Sequence, residues 1–255
     1  MQNEQPVRVL ITRPESESTF GLITMLNESG MEAVHLPLIA YRGSPNPELF
    51  GQLLKQLKDF DWIIFNSPQA VIETLAALNK LELTLPTEKI IAIGEGTAKP
   101  LKRLGYNVLT PIADWRSEGV LGLAVLQNIA GLKIALIKGE GGRQALAAML
   151  KDRAAEITEI IAYERYCPSY AISHVAKLIN VGVDIVIATS YESMQNLMRI
   201  TTPMQQTKIF QTILVVTSDR LKLLASHLGF QRIWVAKQMS NAALMKTIAE
   251  IKELQ

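Results

Sequence analysis

Short apolar runs rich in valine and isoleucine alternate along this chain with longer stretches in which apolar residues recur every three or four positions. Buried parallel strands joined by amphipathic helices produce that pattern, so it predicts an α/β fold. Strands are expected at 8–11, 32–36, 62–65, 90–93, 107–109, 133–137, 156–162, 184–188, 213–216 and 233–235. Between them, helical periodicity covers 16–29, 68–78, 96–104, 143–153, 191–200 and 220–228.

The pattern repeats within the chain. Asp61-Trp62-Ile63-Ile64-Phe65-Asn66-Ser67 aligns with Asp184-Ile185-Val186-Ile187-Ala188-Thr189-Ser190, 123 positions on. Each is an acid, a buried strand and a serine that opens a helix. The helix end Leu104-Gly105-Tyr106 recurs as Leu228-Gly229-Phe230, and Arg8-Val9-Leu10-Ile11 resembles Lys133-Ile134-Ala135-Leu136. Two half-molecules therefore share one β-α-β plan. A tandem arrangement would divide the chain at 123–132, whereas the Pro/Tyr-bearing segments 37–41 and 163–168 fit connectors of an interleaved one. In either layout ligands of open α/β sheets sit outside the carboxyl ends of the strands, which makes a cleft between two such domains the place to expect chemistry.

The predicted strands run into turns of small or polar residues: Thr12-Arg13-Pro14, Asn66-Ser67-Pro68, Gly94-Glu95-Gly96-Thr97, Lys138-Gly139-Glu140-Gly141-Gly142-Arg143, Thr189-Ser190 and Thr217-Ser218. Helix N-termini present unpaired N–H groups and positive dipole ends, so each turn can hold an anion. Pro14 and Pro68 suit the first helical position, where a missing N–H costs little. Capping is the commoner role for any one Ser or Thr at such a place. Six such turns favour an anion with many arms. Arg13, Lys138 and Arg143 are the cations beside them, and Arg143 is suited to bidentate carboxylate contact. Gly94-Glu95-Gly96 is part of a dinucleotide fingerprint, but Lys99 stands where the third glycine belongs.

Among residues that carry proton chemistry, His35, His174 and His227 are scattered and lack triad or metal-ligand spacing. Cys167 has Arg165 and neighbouring tyrosines placed to lower its pKa, although a lone thiol is more often inert. Tyr163, Tyr166 and Tyr170 offer phenols that can donate a proton to a leaving oxygen.

Composition narrows the classes further. At 255 residues, with 48% hydrophobic and 20% charged residues, the chain suits two ordinary folded domains. A formal net charge of +2 without a basic run argues against nucleic acid. One cysteine excludes an internal disulfide, and no structural zinc is expected. The polar first seven residues lack the apolar run of a leader, and no stretch approaches a membrane span, so a cytoplasmic protein without membrane contact is expected.

Taken in order, several motifs resemble the uroporphyrinogen-III synthase family over residues 7–250. They are Ile11-Thr12-Arg13-Pro14, Pro37, Phe65-Asn66-Ser67-Pro68-Gln69-Ala70-Val71, Ile93-Gly94-Glu95-Gly96-Thr97-Ala98, Ser117-Glu118-Gly119, Gly139 with Gly142-Arg143, Tyr163 followed by Pro168, and the strand end at 184–190. The resemblance implies two similar parallel-sheet α/β domains, 1–37 with 168–255 and 41–163, joined by linker strands at 37–41 and 162–168. It implies a cofactor-free, cyclising hydro-lyase of heme biosynthesis that converts hydroxymethylbilane to uroporphyrinogen III, with inversion of ring D and loss of water. In the implied mechanism the terminal hydroxyl leaves, the azafulvene is attacked by the far ring, and a spiro intermediate fragments and recloses.

Carried onto this chain, the candidate acid falls on Tyr163. Of the expected substrate contacts, Thr97 and Ser190 are carried over likewise, with Ser218 where Val216-Thr217-Ser218-Asp219-Arg220 departs from a second Gly-x-x-Thr turn; the strand-end turns and their cations add Arg13, Ser67, Gly94, Lys138, Gly139, Arg143 and Thr189. The expected partners are the linear tetrapyrrole and, transiently, the preceding hydroxymethylbilane synthase; a monomer without metal is expected. The rival from another class is a two-lobed anion-binding protein without catalysis. A nucleotide-binding regulatory pair is disfavoured by the broken glycine fingerprint.

Overall fold

The computed structural model describes residues 6–112, 117–141, 144–238 and 240–253. Contacts divide the chain into two compact units, one containing the described residues up to Ala40 and from Tyr166 onward, the other Tyr41–Arg165.

The first unit contains β1 (Arg8–Ile11), α1 (Glu17–Glu28) and β2 (Glu32–His35) from the early chain. The later chain supplies α7 (Ile172–Val181), β9 (Ile185–Ile187), α8 (Tyr191–Ile200), α9 (Pro203–Gln211), β10 (Ile213–Val216), α10 (Asp219–Leu228), β11 (Arg232–Val235) and α11 (Asn241–Glu253). Its sheet runs β11-β10-β9-β1-β2, with every neighbouring pair parallel. Alternate strand residues feed two cores. Val9, Ile11, Ile185 and Ile187 pack with Leu22 and Leu26 of α1 and Leu244 and Ile248 of α11. Leu10, Val186 and Leu214 pack on the other face with Leu178 of α7, Leu197 of α8, Ile209 of α9 and Ala225 of α10.

The second unit is built from β3 (Ala40–Gly43), α2 (Pro47–Lys55), β4 (Trp62–Phe65), α3 (Pro68–Lys80), β5 (Ile90–Ala92), α4 (Glu95–Arg103) and β6 (Val108–Leu109). It continues through α5 (Ser117–Leu121), β7 (Lys133–Gly139), α6 (Ala145–Asp152) and β8 (Glu156–Tyr166). The sheet order is β3-β8-β7-β4-β5-β6. Helices α2, α3 and α4 cover one face through Phe50, Val71, Leu78 and Leu101. Helices α5 and α6 cover the other through Val120, Leu146 and Leu150.

The internal repeat has a structural counterpart in a shifted chain order: β9, β10, β11, β1 and β2 take the places of β4, β5, β6, β7 and β8. Asp61 and Asp184 do the same job. Asp61 Oδ2 accepts the Lys133 amide at 2.9 Å and Asp184 Oδ2 accepts the Arg8 amide at 2.7 Å, each pinning the start of the neighbouring strand. Gly105 and Gly229 close α4 and α10 with φ of 86° and 112°, a conformation that favours glycine.

Several elements differ from the pattern-based expectation. Strands β7 and β8 run past their expected ends at 137 and 162: β7 continues through a bulged pairing of Gly139 with Tyr163, and β8, which has β3 as a second neighbour, continues to Tyr166. The segment around 40 is accordingly a sheet strand. Pro14 does not open α1; Ser16 is the cap, accepting the Thr19 amide at 3.1 Å, and Pro14 offers its carbonyl to the Thr19 hydroxyl. Pro68 does occupy the first turn of α3.

Candidate functional site

In each sheet the direction in which successive strands are added reverses at one place. From β4 the chain builds outward through β5 and β6, whereas β7 and β8 lie on the other side; in the first unit the reversal lies between β1 and β9. Helices that follow the two central strands leave on opposite faces, opening a crevice at their carboxyl ends, the usual ligand position in such sheets. Ser67 follows β4 and Lys138 and Gly139 end β7. Arg13 follows β1 by two residues, and Thr189-Ser190 follow β9.

In the second unit three of the expected residues meet. Up to Lys138, β7 and β8 pair regularly, Lys138 opposite Ile161, but Gly139 lies opposite Tyr163. The bulge lets consecutive residues Ala162 and Tyr163 enter the same core. Glu140 beyond the bulge donates its amide to the Tyr163 carbonyl at 2.8 Å. The Tyr163 ring lies over Gly139 so closely that a Cβ there would stand 2.5 Å from its Cζ. Tyr41 packs edge-on against the same ring, centroids 5.4 Å apart. The Tyr163 hydroxyl is 3.0 Å from Ser67 Oγ, which also accepts the Ala70 amide at 3.1 Å as the cap of α3.

Lys138, also expected among the substrate contacts, is engaged within the sheet. Its side chain is 2% exposed and donates to Glu159 Oε2 at 2.7 Å. Strand alternation puts this pair on the α5/α6 face, behind Tyr163. Gly94 caps α4 at the adjoining end of β5, and Thr97 is buried in that helix's first turn. The Ile93 amide bonds the Phe65 carbonyl at 3.1 Å, which keeps the Gly94 turn beside the Ser67 turn. Arg143 lies outside the described residues.

In the first unit, Arg13 is half-buried at the end of β1. Its guanidinium donates to Asn241 Oδ1 at 3.1 Å and Ser18 Oγ at 3.2 Å, and its carbonyl bonds His35 Nε2 at 2.9 Å. Among the described residues it has no carboxylate partner, and burial pulls its pKa down from the ordinary arginine value. A desolvated cation with only neutral partners is suited to a ligand carboxylate. Ser190 caps α8 through the Ser193 amide at 3.1 Å, and Ser218 caps α10 through the Leu221 amide at 3.3 Å. Thr189 precedes the Ser190 cap. The supporting residues Asn241 and His35 were not legible as partners of Arg13, since Asn241 is 228 positions away.

Cys167 behaves opposite to the expectation from its sequence neighbours. Burial pushes its thiol up from the ordinary value, opposed by Arg199 and reinforced by Glu192. Tyr170 is also raised, chiefly by burial, and donates to the Pro37 carbonyl at 2.6 Å. Among the described residues no cluster of three or more His, Cys, Asp or Glu side chains is set to hold a metal ion, and no helix is long and apolar enough to cross a membrane.

Two open sheets of mainly parallel strands, each with polar turns at its switch point, define a doubled, doubly wound α/β protein whose strand-end turns are suited to an anion. The family model described as "Uroporphyrinogen-III synthase HemD" matches residues 22–246, and the chain belongs to the uroporphyrinogen-III synthase family. The chain is 32% identical to uroporphyrinogen-III synthase of Salmonella typhimurium over 94% of its length and 99% of the relative's. It is 33% identical to the Escherichia coli enzyme of that name, with the same coverage of both chains. The fold matches uroporphyrinogen-III synthetase from Helicobacter pylori with a TM-score of 0.66 at 14% identity, covering 96% of this chain and 99% of that one. A mutant uroporphyrinogen III synthase from Thermus thermophilus matches with a TM-score of 0.65 at 14% identity, over 97% and 99% of the two chains. The family's members are cyclising lyases of porphyrin biosynthesis.

Proposed function

We propose that this chain converts hydroxymethylbilane to uroporphyrinogen III, inverting ring D and releasing water. The observation that carries the reading is the Tyr163 hydroxyl, fixed on Ser67 at the switch point of the second sheet. There it protonates the departing hydroxyl. The resulting azafulvene is attacked by the far ring, the spiro intermediate fragments and recloses, and the proton lost on final ring closure balances the one spent on water. Arg13 and the turns at Gly94-Thr97, Thr189-Ser190 and Ser218 are assigned to the acid arms, with Arg143 expected to join them. Holding a reactive chain in one geometry supplies most of the catalysis.

The reading includes a cytoplasmic monomer, without nucleic-acid partners, that receives substrate from the preceding hydroxymethylbilane synthase. It keeps 1–37 with 168–255 and 41–163 as the two domains, connected by strands at 37–41 and 162–168. The decisive experiment generates hydroxymethylbilane in place, oxidises the products and separates the isomers. Type III product above the enzyme-free control is expected; type I alone from folded protein would leave a two-lobed binding protein.

Two substitutions probe the roles. Tyr163→Phe is expected to reduce kcat about a hundredfold, within the usual range for a general acid, with KM changed less than threefold. Unchanged kcat would remove Tyr163 from the mechanism. Arg13→Ala is expected to raise KM about tenfold with kcat nearly unchanged, as for a charge-assisted contact made equally in ground and transition states. Steady-state formation of type III product reads both.

A further inference from the structure

Ser67 reads locally as a helix cap, and it does cap α3. Its hydroxyl has a second partner 96 positions away, the Tyr163 phenol at 3.0 Å. The two roles are compatible: accepting the Ala70 amide uses a lone pair, and the single hydroxyl proton stays available. Gly139 supplies the space for the ring, since a Cβ there would lie 2.8 Å from the phenol oxygen.

We infer that Ser67 is a positioning residue for Tyr163, holding the phenol at the strand end and donating to its oxygen as the phenol proton passes to the leaving hydroxyl. The inference rests on the functional reading above. While Tyr163 donates to Ser67, the phenol proton is occupied. When Ser67 turns its own proton toward the phenol, the Tyr163 proton faces the substrate. After transfer, the Tyr163 O–H bond has broken, water has formed and left, and Ser67 remains a donor to the phenolate. A charged acceptor strengthens that bond, so it contributes more in the transition state than in the resting enzyme. Ser67 accordingly affects turnover through Tyr163 and has no need to touch the acid arms.

The test is steady-state formation of type III product by wild type, Ser67→Gly, Ser67→Thr, Tyr163→Phe and the Ser67→Gly/Tyr163→Phe double variant. Glycine is chosen because it is tolerated at a helix cap, and thermal melting of each variant checks that it folds. Ser67→Gly is expected to lower kcat about tenfold with KM within about twofold, the effect of one hydrogen bond to a charged group. Ser67→Thr, which keeps the hydroxyl, is expected to restore at least about half of kcat, and Ser67→Gly is expected to add no loss beyond Tyr163→Phe. An additive loss in the double variant, or a raised KM with normal kcat, would overturn the inference while leaving the proposed function standing. Failure of the wild type to make type III product would overturn both.

Discussion

Gly139→Ala is expected to abolish most type III synthesis and to destabilise the protein together. The added Cβ would lie 2.5 Å from Tyr163 Cζ and 2.6 Å from Cε2, inside any tolerated contact, and the obstacle is a ring rather than the loose end of a flexible chain. That ring is 7% exposed and packed edge-on by Tyr41, so it has little room to slide. Overpacking of this kind costs about 1–3 kcal/mol, which for a chain of this length lowers the melting midpoint by roughly 2–12 °C. The functional loss follows from the escape route. If the ring swings away, its hydroxyl leaves Ser67 and general-acid assistance is lost, a fall in kcat of about a hundredfold or more. A folded Gly139→Ala enzyme with normal kcat would show that the phenol need not occupy its observed place.

The distances involved explain what the residue pattern could reveal. Strands such as 62–65 and 213–216 were legible because runs of four apolar residues between turns, with three or all four buried, have few other uses. The equivalence of Asp61 and Asp184 was visible as a repeat, but their task was not, because each bonds the first residue of a strand far along the chain. Strand β3 has only four residues and two are exposed, so it lacks a strand signal and forms beside β8.

The site shows the same division. Helix-opening serines are a local signal, and Ser67, Ser190 and Ser218 all cap helices. The Ser67–Tyr163 contact spans 96 positions, and the bulge that creates it depends on how β7 meets β8. Lys138 stands beside a glycine turn in the sequence, the place expected of a substrate contact; alternation along β7, which runs on to Gly139, turns it inward toward Glu159.

That inward turn makes Glu159→Ala the second large effect. Lys138 is 2% exposed, so removing its carboxylate strands a buried ammonium, whereas Glu159 is 26% exposed and keeps access to water if its partner is lost. Breaking a buried pair from the side that leaves the deeper charge costs about 3–5 kcal/mol, a drop in melting midpoint on the order of 10 °C here. Lys138→Met should cost less, and the Lys138→Met/Glu159→Leu pair should recover most of the stability, because apolar replacement of both partners removes desolvation along with attraction. Thermal melting of the three variants gives the order, and a Glu159→Ala protein that melts with wild type would refute the buried pair as a structural element. Turnover separates the two roles open to Lys138. As a support behind the bulge, its loss of a partner lowers kcat through Tyr163 and leaves KM nearly constant; as a ligand for substrate carboxylates, freeing it from Glu159 would lower KM. Because Lys138 immediately precedes the glycine on which the Tyr163 ring lies, the first outcome is the expected one.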